Sequence, residues 1–175
     1  MSDLSISQAL RKVRDIKGRL AKHQANAQPS VLYLVKDQPA YNFRSELESV
    51  DSLGKELLKL QTAITVANAK TTFDWNGQKV LLTWAVKRLE EIKGRIKWFN
   101  DLVVSAQADR TDETWEYTEI NGRTERVKTE RKWKCELPEA DRAKHVQDLQ
   151  DEFNRLNDQV ETINHRTSIS GLMES

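Results

Sequence analysis

The residues whose types and spacing could do chemistry in this chain are two short cationic segments and two polar helix endings, each present twice. Lys17-Gly18-Arg19, within Ser7 to Leu20 (SQALRKVRDIKGRL), returns as Lys93-Gly94-Arg95 within Thr83 to Ile96 (TWAVKRLEEIKGRI). Asn68-Ala69-Lys70-Thr71, at the end of Val50 to Thr72, returns as Asn164-His165-Arg166-Thr167 at the end of Val146 to Ser168. The first match also keeps Ala9/Ala85 and Ile16/Ile92, and the second keeps Leu53/Leu149, Glu56/Glu152 and Leu60/Leu156. Ammonium or guanidinium groups beside amide and hydroxyl donors are the combination that holds phosphate, so the repeated cluster points to a small anionic, nucleotide-like ligand.

Placed on a helix at 100° per residue, Lys17 falls about 40° from Val13 and between Ile16 and Leu20. Lys17, and Lys93 at the matched position, are therefore expected to point inward, where an unpaired ammonium is costly and calls for an anion. The plainer alternative is that each lysine lies along the core edge with its head in water. Gly18 and Gly94 fall away from the apolar stripe, where a mid-helix glycine costs about 1 kcal/mol relative to alanine. That cost implies close approach to the backbone by a hairpin, a neighbouring subunit or a ligand, with Arg19 and Arg95 as flanking donors. Asn68, Lys70 and Thr71, with Asn164, Arg166 and Thr167, either satisfy the last carbonyls of their helices or form the polar wall of the same pocket. Most of the five tryptophans are expected in the core or an interface, while Trp75, Trp115 and Trp133 stand where a flat ring could stack on a base.

Catalytic and metal-binding patterns are missing from the sequence. Cys135 has no sequence-adjacent base, and His23, His145 and His165 lack ligand spacing. Asp141/His145 and Glu161/His165 are i,i+4 pairs of the kind found on helix surfaces. There is no phosphate-binding loop, no Gly-x-Ser-x-Gly and no paired cysteine motif. The expectation is a non-enzymatic protein with no catalytic residue, no metal and no cofactor.

The elements that must position these groups are read from periodicity. A first helix is expected from about Ser5 to Ala25, opened by the capping-box spacing of Ser5 and Gln8. After Pro29, Val31 to Val35 and Ala40 to Phe43 read as a short hairpin or an extended excursion, followed by a helix from about Arg44 to Lys70. Thr71 to Lys79 reads as a linker with an Asn76-Gly77 turn, and a third helix follows from about Val80 to Ala106. Thr114 to Ile120 and Arg123 to Cys135, joined by Asn121-Gly122, form the clearest hairpin, with Tyr117 facing Arg126 and Trp115 facing Lys128 as cation–π pairs. Pro138 and the acidic Glu139 and Asp141 open a last helix to about Arg166, after which Ile169 to Ser175 is expected to fray. The fold class expected is mainly α: duplicated helix–hairpin–helix units, about 5–72 and 80–168, forming within one domain an antiparallel four-helix bundle with two projecting β-hairpins.

Composition bounds the function. At 175 residues, with 31% charged and 38% apolar residues, the chain suits long amphipathic helices. Its net charge of +1 argues against a globally basic nucleic-acid binder, and the glutamates interspersed through Arg123 to Lys134 argue against a local one. A single cysteine fits a reducing compartment, and without a signal peptide or a membrane-length apolar run the expected location is cytoplasmic, with no membrane partner.

The order SISQALRKVRDIKGRL, LQTAITVANAKT, LLTWAVKRLEEIKGRI and a final INHRTS resembles the septicolysin-like family of small helical proteins. The resemblance implies a helical fold across nearly the whole chain. The family name suggests a cytolysin, but Thr-Glu-Arg-Val-Lys-Thr-Glu-Arg-Lys lacks the apolar alternation of a membrane hairpin. The leading functional expectation is a homo-oligomer that binds, and so sequesters, the anionic ligand. The alternative is a structural or assembly protein in which the same motifs make subunit contacts.

Overall fold

A computed structural model describes residues 4–103, 109–120 and 122–169. Among them the chain forms α1 (Ile6–Ala27), α2 (Phe43–Lys70), β1 (Thr72–Trp75), β2 (Gln78–Leu81), α3 (Leu82–Asp101), β3 (Asp109–Ile120), β4 (Arg123–Lys134) and α4 (Glu139–Arg166). The strands make two separate two-stranded antiparallel sheets, β1 with β2 and β3 with β4.

This corrects the expected four-helix bundle with two projecting hairpins: the fold is mixed α/β, and the chain divides into two compact units, Met1–Arg88 with Leu156–Ser175, and Leu89–Arg155. The physical reason lies in the stripes. On α1 the buried residues are Ile6, Ala9, Ile16 and Ala27, while Leu10 is 44% exposed. On α2 they are Leu53, Leu60, Ala63, Ile64 and Ala67, while Leu47 and Leu58 face solvent. Two of the four buried residues on α1 and two of the five on α2 are alanines, and large apolar residues on both helices stay exposed, so each buried face is narrower than the wide stripe that a shared bundle core needs.

In the first unit α1 and α2 are neighbours running antiparallel, joined at one end by His23 Nδ1 and Glu46 Oε2 at 2.7 Å. The capping box forms as the spacing predicts: Gln8 N donates to Ser5 Oγ at 3.2 Å and Ser5 N donates to Gln8 Oε1 at 2.9 Å. Of the two alternatives for the segment between α1 and α2, the chain takes the excursion and not the hairpin. Asn42 Oδ1 accepts from Arg44 N and Ser45 N and commits the chain to α2 from Phe43, leaving Val31 to Val35 without a partner strand. Instead Ser30 Oγ bonds to Asn26 O and Tyr41 O and closes the base of an irregular excursion.

The predicted linker holds the hairpin that was not expected. Asn76 and Gly77 take φ of 50° and 79°, the left-handed pair of a tight turn, and Thr72 pairs with Leu81 through to Trp75 with Gln78. The expected fray also begins too early, because Ile169 is fully buried and its N–H donates to Leu4 O at 2.8 Å. Residues 170–175 lie outside the described ones.

In the second unit Ile92, Phe99 and Leu149 form a small core flanked by Ile96, Val146 and Phe153. Arg142 holds the start of α4 to the end of α3: it donates to both Glu139 oxygens, to Phe99 O and to Asn100 Oδ1. The β3–β4 register is the expected one, with Trp115 opposite Lys128 and Tyr117 opposite Arg126. The cation–π contacts differ, because Lys128 pairs with Glu113 across the strands and Arg126 lies over Trp115, 4.8 Å from the ring centre. Asn121 and residues 104–108 lie outside the described residues.

Candidate functional site

The internal repeat separates into two classes of position. Ala9/Ala85 and Ile16/Ile92 are all buried, as are Leu53/Leu149 and Leu60/Leu156. Lys17, Gly18 and Arg19, like Lys93, Gly94 and Arg95, are exposed. The inward lysines are thus a misreading: the buried face of α1 centres on Ala9, Ile16 and Ala27, about 80° from Lys17 at 100° per residue. The glycines do not mark close approach either, since a Cβ on Gly18 or Gly94 would meet nothing within 4 Å. Arg19 and Arg95 each face a carboxylate one turn back, Asp15 at 3.9 Å and Glu91 at 3.7 Å.

Lys17 and Lys93 belong to different compact units, so each is taken with its own neighbours. In the first unit the two polar helix endings do come to one end. Because α1 and α2 are antiparallel, α2 finishes where α1 begins, and α4 finishes there too: Ile6 N donates to Thr167 O at 2.9 Å. Asn68, Thr71, Asn164 and Thr167 are half-buried, and Lys70 and Arg166 are exposed, complementing the negative ends of their helices. Asn68 Oδ1 is buried with no donor among the described residues. Trp75 is only 8% exposed, so it belongs to the core and is not a lid. Lys17 sits about 16 Å up α1 from Ile6, too far to join this cluster. A groove of about 300 Å³ in this unit, between β1 and α4, presents Asp74 and Asp158, the wrong sign for an anion.

The second unit holds a groove of the opposite character. Between α3 and α4 a recess of about 350 Å³ is lined by Lys93, Ile96, Lys97, Asn100, Gln150 and Phe153. None of these is acidic, and among the described residues neither lysine has a carboxylate within ion-pair distance. Lys93 Nζ lies 5.1 Å from the centre of the half-buried Phe153 ring. At an exposed site such a contact is worth about 0.5–1 kcal/mol, little enough for the ammonium to turn toward a stronger anion. Lys97 stands one turn on, a like-charge pair that disfavours the empty state by a few tenths of a kcal/mol.

Asn100 adds directed donors. Arg142 Nη1 donates to Asn100 Oδ1 at 3.3 Å, which leaves the amide Nδ2 to donate elsewhere. The guanidinium is itself fixed by Glu139: their hydrogen bonds hold the Glu139 carboxyl below its ordinary range and raise Arg142, more than offsetting desolvation in both. Gln150 is oriented by its bond to Asn154 Oδ1 at 3.0 Å. Two cations, two amides and an apolar floor can neutralise phosphate and seat a flat or hydrophobic group beside it. At about 350 Å³ the space is near the lower limit of small-molecule sites, the scale of one nucleotide.

Sequence reasoning found Lys93 and missed Lys97, Asn100, Gln150 and Phe153. The available signal was the i, i+4, i+7 row Lys93, Lys97, Asn100 along one face of α3. Trp115 is 52% exposed on β3 with its ring occupied by Arg126. Among the described residues there is no group of His, Cys, Asp and Glu placed to hold a metal ion. No helix among them is long and apolar enough to cross a membrane.

No family model, no curated protein and no solved structure matches this chain, so the septicolysin-like resemblance rests on the segments quoted above.

Proposed function

We propose that this protein is a non-enzymatic, homo-oligomeric binder that holds, and so sequesters, a small anionic nucleotide-like ligand. The observation that carries this reading is the groove of the second unit, where Lys93 and Lys97, with no carboxylate within ion-pair distance among the described residues, line a recess with Asn100, Gln150, Ile96 and Phe153. The lysines would take phosphate oxygens, the amides hydroxyls or base edges, and Phe153 with Ile96 the apolar face. The polar end of the first unit is a separate polar place: Asn68 Oδ1, buried without a donor among the described residues, would accept from a hydroxyl or N–H, and Lys70 and Arg166 are exposed at the same helix ends.

A thermal-shift and calorimetric screen of linear and cyclic nucleotides, with pyrophosphate as the base-free control, tests this reading. It predicts stabilisation by at least one nucleotide, weaker response to pyrophosphate, and loss in Lys93→Ala/Lys97→Ala. If no phosphate-bearing compound stabilises the protein, the ligand reading fails.

A second reading, assembly without a ligand, is favoured by the run Val31 to Val35, whose five apolar side chains all face solvent. It predicts an oligomer that ignores the whole panel.

A further inference from the structure

We infer that the irregular excursion between α1 and α2 is a self-association surface, packing on the same surface of a second copy across a two-fold axis. The inference deepens the homo-oligomeric part of the proposed function and rests on it. Leu32 and Val35 are 90% and 89% exposed, and Val31, Tyr33, Leu34, Tyr41, Phe43 and Leu47 between 37% and 65%. Connecting segments at a solvated surface are normally polar, and exposed apolar groups normally lie scattered. Here they follow one another along a single stretch. Ser30 is buried and anchors that stretch through Asn26 O and Tyr41 O, so the surface is presented by a closed base.

Two quantities favour a second copy as the occupant. The eight residues keep between 37% and 90% of their surface accessible, a supply of large exposed apolar groups on the scale of the apolar centre of a standard interface of ~800 Å² per partner. The surface also carries both kinds of group that an isologous interface must match to itself: the exposed apolar run and, beside it, a more polar recess of about 530 Å³ lined by Tyr33, Gln38, Pro39, Tyr41, Phe43 and Arg44. Tyrosine and arginine around a recess are also the composition of interface hot spots. Charge fits the same symmetry. Lys36 and Asp37 are the only charged residues from Val31 to Phe43, and a two-fold axis near them sets each lysine against the other copy's aspartate.

The test is the mass of the full chain in solution by light scattering and sedimentation, from about 1 to 100 µM. The wild type is expected at an even multiple of its 20.2 kDa. Leu32→Asp/Val35→Asp should halve that mass, or weaken association at least hundredfold, with far-UV helical signal retained. Lys36→Asp should weaken association about tenfold by opposing like charges, and adding Asp37→Lys should restore it. A monomeric wild type, a wild-type mass in the Leu32/Val35 variant, or no recovery in the charge exchange would each overturn the two-fold excursion contact. Lys93→Ala/Lys97→Ala should leave the mass unchanged, so failure of the groove and failure of the interface are read separately.

Discussion

Lys17-Gly18-Arg19 and Lys93-Gly94-Arg95 occupy matched turns of α1 and α3, with matched buried partners at Ile16 and Ile92, yet Lys93 lines a recess with a second lysine and two amides, and the matched positions of the first copy keep only one amide. What separates them is the company each lysine keeps. Where α3 has Lys97 and Asn100, α1 has Ala21 and Gln24, and where α4 has Gln150 and Phe153, α2 has Gly54 and Leu57. The first copy thus has one cation, no ring and one amide. A repeated motif carries over its packing residues directly, while its chemistry depends on side chains outside the motif.

The comparison is broken most directly by removing charge from one copy at a time. Lys93→Ala/Lys97→Ala is expected to weaken nucleotide binding at least a hundredfold by calorimetry, and Lys17→Ala/Arg19→Ala to leave it within twofold. The apolar half of the match should behave alike in both copies. Ile16→Ala and Ile92→Ala are each expected to cost about 2–4 kcal/mol in urea denaturation, because both side chains are at most 2% exposed.

These expectations rest on features that were unevenly legible in the sequence. The caps and the long hairpin were readable because Ser5 with Gln8, and Asn121-Gly122 between twelve-residue strands, are local signals. Asn76-Gly77 was equally local but flanked by four-residue strands, short enough to pass for a linker. The sequence left hairpin and excursion open because Val31 to Val35 has strand composition, and composition alone does not reveal that Asn42 has claimed the partner segment for a helix cap. The groove was only half legible. Lys93 was found through the repeat, but Lys97, Asn100, Gln150 and Phe153 stand where the other copy has Ala21, Gln24, Gly54 and Leu57, so a search for shared residues passes over them. Lys17 was placed inward because the larger Leu10 and Val13 drew the projected stripe away from Ala9, the residue that packs.

Smaller effects sharpen the contrast further. Gly18→Ala and Gly94→Ala are each expected to stabilise by up to about 1 kcal/mol in thermal unfolding, since both are helical, exposed and free of neighbours. Equal gains would place them outside any close contact, and a loss at Gly94 alone would tie it to the groove.

Arg142→Ala should reduce binding several-fold by releasing Asn100. It should also change the acid limb of stability. The folded carboxyl of Glu139 lies below its ordinary value of 4.5, so its contribution is present above that value and is lost as pH falls through the folded one. The stability gap between wild type and Arg142→Ala should therefore narrow as pH drops below about 4.5.

The most direct test of the central claim is the nucleotide titration of three proteins side by side: wild type, Lys93→Ala/Lys97→Ala and Lys17→Ala/Arg19→Ala. The expected result is saturable binding in the wild type and the Lys17/Arg19 variant and none in the Lys93/Lys97 variant. Equal weakening in both variants, or binding that survives the loss of Lys93 and Lys97, would contradict the assignment of the site to the second unit's groove.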